Sequence, residues 1–259
     1  MHDLQGKHFL VTGGTSGLGA ATLRELLRVG ARVTFVGRNR AQADALCAEL
    51  PSANYIECDL RDANAPDRIM AAAHDRFGPL DGAANIACCT PSLVTLADLD
   101  DATLERELCD ELRSFVRLLR AELRAICEVG RAASVVNVSS INGLGASRQA
   151  PAYSALKAAI IALSKNAALD YAPRTIRVNA LVPGPFATPM LDAAITQLAG
   201  KDEGRREQVA EQYKALIPLG RVGRPGEAAT AIAWLLSEQS SFVTGSSLIV
   251  DGGMTCFAR

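Results

Sequence analysis

His8-Phe-Leu-Val-Thr-Gly-Gly-Thr-Ser-Gly-Leu-Gly19 begins as an apolar, β-branched run and passes without a break into spaced glycines. Gly13, Gly17 and Gly19 make a G-x-x-x-G-x-G spacing. Glycine permits a tight turn and lets backbone N–H groups come close to a pyrophosphate. A helix expected over Gly17–Val29 starts at that turn, and its N-terminal dipole favours an anion. Strand, glycine turn and helix in that order imply a nucleotide site. Gly13, Thr15, Ser16, Gly17, Leu18 and Gly19 are its expected contacts.

The same rhythm runs down the rest of the chain. Short runs suited to strands are His8–Thr12, Arg32–Val36, Asn54–Glu57, Gly82–Ile86, Ser134–Ser139, Arg177–Leu181 and Ser247–Val250. Between them Gly17–Val29, Arg40–Leu50, Ala63–Phe77, Ala102–Val129, Pro151–Tyr171 and Pro225–Ser237 read as helices. Alternation of this kind implies parallel strands with right-handed crossovers. The expected fold is α/β: a Rossmann-like, doubly wound parallel sheet of about seven strands with helices on both faces. No repeat, linker or low-complexity segment interrupts it, so residues 1–259 read as one domain. Thr188 to Pro218 breaks the rhythm. It reads as a helical insertion after the sixth strand, and so as a lid over a site at the C-terminal edge of the strands. The charged run Lys201–Glu207 within it is expected to be a solvated helix face.

Bulk composition narrows the function. Apolar residues are 49% of the 259, enough for a sizeable core. The formal net charge is -1, which argues against a nucleic acid or an anionic membrane surface as partner. No apolar run approaches the ~18 residues of a membrane span, and the residues from Met1 to Lys7 lack the apolar core of a signal peptide. The seven cysteines are scattered and there are only three histidines. Neither a disulfide framework nor a metal site is expected, and a reducing cytoplasm fits best. Cys88 and Cys89, side by side, invite oxidation but are given no functional role.

The end of the second strand tells which cofactor to expect. An acid there would bind a ribose 2′-hydroxyl. The chain instead reads Phe35-Val-Gly37-Arg38-Asn-Arg40, without a carboxylate and with an arginine fork suited to a 2′-phosphate. That favours NADP; NAD stays usable if Arg38 only stacks on the adenine or points to solvent. Asp59, just past the third strand, is placed to accept from the adenine amino group, with Leu60 beside it.

Ser140, Tyr153 and Lys157 carry the expected chemistry. Tyr153 and Lys157 are four apart and share one helix face. A free phenol ionises near pH ~10, and a neighbouring ammonium lowers that value. The pair is therefore expected to act as a proton donor and acceptor tuned toward working pH. Ser140, at the end of an apolar run, is expected to hold the substrate oxygen.

Taken together these motifs, in this order, resemble the short-chain dehydrogenase/reductase superfamily of single-domain type, over essentially the whole chain. The resemblance implies an NAD(P)-dependent oxidoreductase that moves a hydride between nicotinamide and a carbonyl or secondary alcohol. It implies Ser140, Tyr153 and Lys157 as the catalytic set, with Tyr153 and Lys157 also touching the cofactor. It matches Pro183, Gly184, Phe186 and Thr188 to the segment that fixes the nicotinamide carboxamide, and Asn85 to a residue that serves the cofactor ribose or braces the sheet. Two departures stand out: Asn85-Ile-Ala-Cys88 replaces the usual Asn-Asn-Ala-Gly, and Glu111 falls where the family keeps an Asn that relays protons to the lysine. By analogy the substrate meets Ser140, Ile141, Asn142, Ala150, Phe186, Met190 and Leu191, and Arg148 is placed to meet an acidic group. Arg131 and Arg174 fall where 3-oxoacyl carrier-protein reductases dock their carrier; a secondary-metabolite ketone or alcohol fits equally well. Ala155, Ala158, Ala159 and Ala162 make a flat face for packing between subunits, and the family's habit implies a homotetramer or homodimer. The competing expectation is a cofactor-binding sensor or scaffold with little catalysis.

Overall fold

A computed structural model describes residues 2–256. Met1 and residues 257–259 of the expected domain lie outside them. The strands are β1 (His8–Thr12), β2 (Arg32–Gly37), β3 (Asn54–Glu57), β4 (Gly82–Asn85), β5 (Ala133–Val138), β6 (Ile176–Pro183) and β7 (Ser247–Val250). The α-helices are α1 (Gly17–Arg28), α2 (Arg40–Glu49), α3 (Ala65–Phe77), α4 (Asp101–Leu104), α5 (Glu111–Val129), α6 (Pro151–Tyr171), α7 (Pro189–Ala199), α8 (Glu203–Ala215) and α9 (Pro225–Leu236). All strand pairs are parallel, in the order β3-β2-β1-β4-β5-β6-β7. The order reverses direction between β1 and β4, and a crevice opens at the C-terminal ends of strands at such a point.

The sheet is buried on both faces, as parallel sheets are. Every residue of β1, β4 and β5 is buried. Alternate strand residues feed two separate cores. Phe9, Val11, Val33, Phe35, Val136 and Val138 pack with Leu23 and Leu26 of α1, Leu46 of α2 and Ile232 of α9. Leu10, Val36, Val135 and Val178 point the other way, onto Ile69 of α3, Leu119 and Leu123 of α5 and Ala167 of α6. The period of two along each strand thus sets which helix layer a side chain meets.

Two boundaries differ from the sequence reading in an informative way. β6 runs two residues further, to Pro183, because β7 pairs with it to the end. The single helix expected over Ala102–Val129 is interrupted by a π-helical turn at Glu105–Asp110. Glu107 in that turn is buried and accepts a hydrogen bond from the Ser92 backbone N–H at 2.8 Å and another from the Ser92 hydroxyl. A side chain pinned inward in this way fits the extra residue of a π-bulge, and such bulges gather at functional sites.

Candidate active site

A cavity of about 760 Å³ lies along the C-terminal ends of the strands. Every residue nominated from the sequence as catalytic, cofactor-binding or substrate-binding lines it, from Gly13 to Met190. Its outer wall comes from α7 and α8, through residues such as Leu191, Leu198, Val209 and Tyr213.

The glycine turn forms one end. Gly13 and Gly17 have φ of 66° and 53°, a backbone that residues with a Cβ seldom adopt. A Cβ on Gly19 would sit 2.0 Å from the Gly13 carbonyl oxygen. The turn is fastened to its neighbours: Gly14 N–H donates to the Val36 carbonyl at 3.1 Å, and Ile86 and Ala87 donate to the Thr12 hydroxyl at 3.0 and 3.2 Å. Backbone drawn this close, opening onto the start of α1, fits a dinucleotide pyrophosphate. Gly37 offers no carboxylate, and Arg38 is largely exposed at the rim, 3.8 Å from Asp59. Asp59 is also held by Arg61 at 2.6 Å, and that hydrogen-bonded guanidinium pulls its carboxyl down to about 2. Asn85 lines the cavity, but its amide nitrogen is spent on Glu122 at 2.8 Å and Asn137 at 3.0 Å. The amide nitrogen thus braces the sheet, while the Asn85 Oδ1 has no partner among the described residues.

At the other end β5 delivers Ser140 to the first turns of α6. Ser139 donates to the Lys157 carbonyl at 2.7 Å, and Gly143 lies so near α6 that a Cβ would be 2.6 Å from the Lys157 carbonyl carbon. This clamp brings Ser140, Tyr153 and Lys157 onto the lining of the same cavity. The Lys157 ammonium lies 5.5 Å from the centre of the Tyr153 ring and donates to the Val138 carbonyl at 3.0 Å. Tyr153 and Lys157 are both buried.

The electrostatics correct one expectation. Burial pushes the Tyr153 phenol above its ordinary value, and the Lys157 charge only opposes that rise. An ammonium next to a phenol does favour the phenolate, but desolvation of the charged form is the larger effect here. Burial likewise works to lower Lys157, yet it ends raised, because Cys88, Tyr153 and Glu111 stabilise its charge. Glu111 stands beside the cavity at the first turn of α5, where burial raises its carboxyl and the nearby Lys157 counteracts.

Several contributors escaped the sequence reading. Thr12 and Gly143 are ordinary strand-end and turn residues whose importance lies in close approaches to other segments. Gln149 lines the cavity with φ of 61° and accepts from the Val94 N–H at 2.8 Å. Met254 reaches the same cavity from beyond β7. No local pattern marks either. Among the described residues no helix is long and apolar enough to cross a membrane.

Residues 13–255 match the family model described as Enoyl-(Acyl carrier protein) reductase. The chain is 36% identical to a 2,5-dichloro-2,5-cyclohexadiene-1,4-diol dehydrogenase of Sphingobium indicum, over 98% of this chain and 99% of the relative. It is 37% identical to a cis-4-hydroxycyclohexanecarboxylate dehydrogenase of Sinomonas cyclohexanicum, over 95% of each. Among solved structures, levodione reductase superposes with a TM-score of 0.92 at 28% identity, covering 98% of this chain and all of that one. Named dehydrogenases and reductases of full length do not favour a binder with little catalysis. The chain belongs to the short-chain dehydrogenase/reductase family and is a nicotinamide-dependent oxidoreductase of alcohol and ketone substrates.

Proposed function

We propose that this enzyme oxidises or reduces a hydroxyl or carbonyl on a small carbocyclic ring, with NADP as the preferred cofactor. The observation that carries the reading is the meeting, in one cavity, of the glycine turn with Ser140, Tyr153 and Lys157. When bound, the nicotinamide supplies the hydride chemistry. Tyr153 then gives its proton to the substrate oxygen, or takes one from it, and Ser140 donates a hydrogen bond to that oxygen. Lys157 supplies the charge that counters the cost of an ionised, buried Tyr153. Glu111 stands where it can hold water that returns the proton from solvent. Gly13, Gly17, Gly19 and their neighbours Thr15, Ser16 and Leu18 cradle the pyrophosphate, Asp59 and Leu60 flank the adenine, and Pro183, Gly184, Phe186 and Thr188 fix the carboxamide.

Two relatives act on six-membered rings by their names, and the substrate end of this cavity is mainly apolar: Ile141, Ala150, Phe186, Met190 and Leu191. Asn142 and Arg148 are its polar handles. An acyl-carrier substrate is less well supported. Arg131 is engaged by Asp81 at 3.0 Å and, like Arg174, it precedes its strand and so stands at the edge of the sheet away from the cavity.

One domain carries the whole site, with α7 and α8 as its lid. The exposed Ala155, Ala158, Ala162 and Leu169 share a stripe on α6, and Phe242 and Ile249 are exposed near β7. Those faces suit a homotetramer or homodimer, and seven unpaired thiols suit a reducing cytoplasm.

The test is a panel of cyclic alcohols and ketones with NADP and with NAD, followed at the nicotinamide absorbance. Wild-type enzyme should turn over ring substrates and prefer NADP. Tyr153→Phe should lower kcat by at least ~10²-fold while cofactor affinity stays within a few-fold. Undiminished turnover in that variant refutes the proton role, and a preference for NAD refutes the role given to Arg38.

A further inference from the structure

The loop after β4 departs from the family's sequence, and the departure builds a cluster. Cys88 and Cys89 replace a Gly-containing turn, and Glu111 arrives opposite them from the first turn of α5. The two Sγ atoms and a Glu111 carboxylate oxygen all lie within 4.8 Å of one another. The Cys89 backbone N–H donates to Glu111 at 3.3 Å, which fixes the carboxylate against the loop. Cys88 and Glu111 line the cavity, so the cluster has an entry path and an open side. The Lys157 ammonium lies close enough to Cys88 for their charges to interact.

We propose that Cys88, Cys89 and Glu111 form a binding site for a thiophilic divalent cation, zinc or cadmium, and that an ion bound there, beside Lys157, opposes cofactor binding. Zinc takes thiolate at about 2.3 Å and carboxylate at about 2.0–2.2 Å, in a tetrahedron whose sulfurs stand roughly 3.8 Å apart. The three donors already lie within 4.8 Å of one another, and the open side admits water as fourth ligand. The charges also balance. Two thiolates and a carboxylate carry three negative charges, which a divalent ion and the Lys157 ammonium neutralise. The two thiol protons leave to solvent on binding. With the ion in place Cys88 is bound to metal, and the Lys157 ammonium faces a second cation. Its reach toward a nucleotide ribose is then opposed. The site does not depend on which substrate the enzyme uses, or on the proton role of Tyr153.

Cadmium titrated into the full-length enzyme tests this directly. Wild-type protein should take up one tightly held cadmium per chain, with the near-ultraviolet charge-transfer band of thiolate–cadmium bonds. Cys88→Gly, which restores the family's residue, and Cys89→Ser should each lose the band and bind cadmium at least about tenfold more weakly, as should Glu111→Gln without the loss of a sulfur. Circular dichroism of each variant confirms that it is folded. In a second arm, cadmium should weaken reduced-cofactor binding about tenfold in the wild type, read by cofactor fluorescence, and leave it unchanged in Cys89→Ser. A band that survives in either cysteine variant assigns the metal to the other five thiols and overturns the site. Cofactor affinity indifferent to cadmium in the wild type overturns the opposition to cofactor binding.

Discussion

The turn after β1 and the helical pair after β6 face each other across the cavity, and they are held by opposite means. The turn is fixed by backbone: positive φ at Gly13 and Gly17, hydrogen bonds to Val36 and from the β4 loop, and a packing gap at Gly19 that admits no side chain. The helical pair is fixed by a few side chains. Of the residues of α7 and α8 only Ile195, Ala199 and Val209 are buried, and they form a small cluster of their own. Its outer surface is charged, with Arg206 paired to Asp192 in the open. The two regions touch where Thr188 approaches Gly17. A binding site for a rigid, charged pyrophosphate gains from preorganisation, because nothing remains to be ordered on binding. A wall that must admit and release substrate gains from shallow packing, because segments with few buried contacts open at low free-energy cost.

The sharpest way to break that contrast is Gly19→Ala. The added methyl meets the Gly13 carbonyl, so the turn must shift. Stability should fall by about 3 kcal/mol, and cofactor affinity should fall at least tenfold, by thermal melting and by fluorescence titration. A variant that binds like wild type would mean that the turn is pliable.

A second prediction concerns the support beneath the turn side of the cavity. Glu122 of α5 is fully buried, its only hydrogen bond among the described residues comes from Asn85, and burial pushes its carboxyl up to about 8. The unfolded chain releases that proton near pH ~4.3. The folded state therefore holds a proton that the unfolded state gives up. Its stabilising contribution is fully present below about pH 4.3 and is lost as the pH rises through about 8. Denaturant melts should show stability falling as the pH rises through that window. Glu122→Gln should flatten the fall. An unchanged slope would show that Glu122 is ionised in the folded protein.

The mildest effect is expected on the other side. Val209→Ala removes one of the few anchors between α7 and α8. Global stability should drop by no more than about 1 kcal/mol, while KM for substrate rises several-fold with cofactor affinity intact. A large loss of stability would show that the pair is integral to the core, and the contrast would fail.

How much of this was legible in the sequence follows from the same contrast. The glycine turn could be read because its requirements are local: spacing, backbone freedom and the strand before it. Tyr153 and Lys157 could be read because helical periodicity places residues four apart together. The π-helical turn before Glu111 could not, since it depends on Glu107 being held by Ser92 from a distant loop. Nor could the net rise of the Tyr153 phenol, which depends on how deeply the neighbouring elements bury it.

By itself the sequence determined the order of strands and helices, the glycine turn after the first strand and the shared helix face of Tyr153 and Lys157, because each is encoded in residues near one another along the chain. Tertiary structure alone decided which way Asn85 points, that Glu111 meets Cys88 and Cys89, and that Gln149 and Met254 reach the cavity. Those outcomes hang on long-range packing, where the partner of a side chain is set by the whole sheet rather than by its neighbours in sequence.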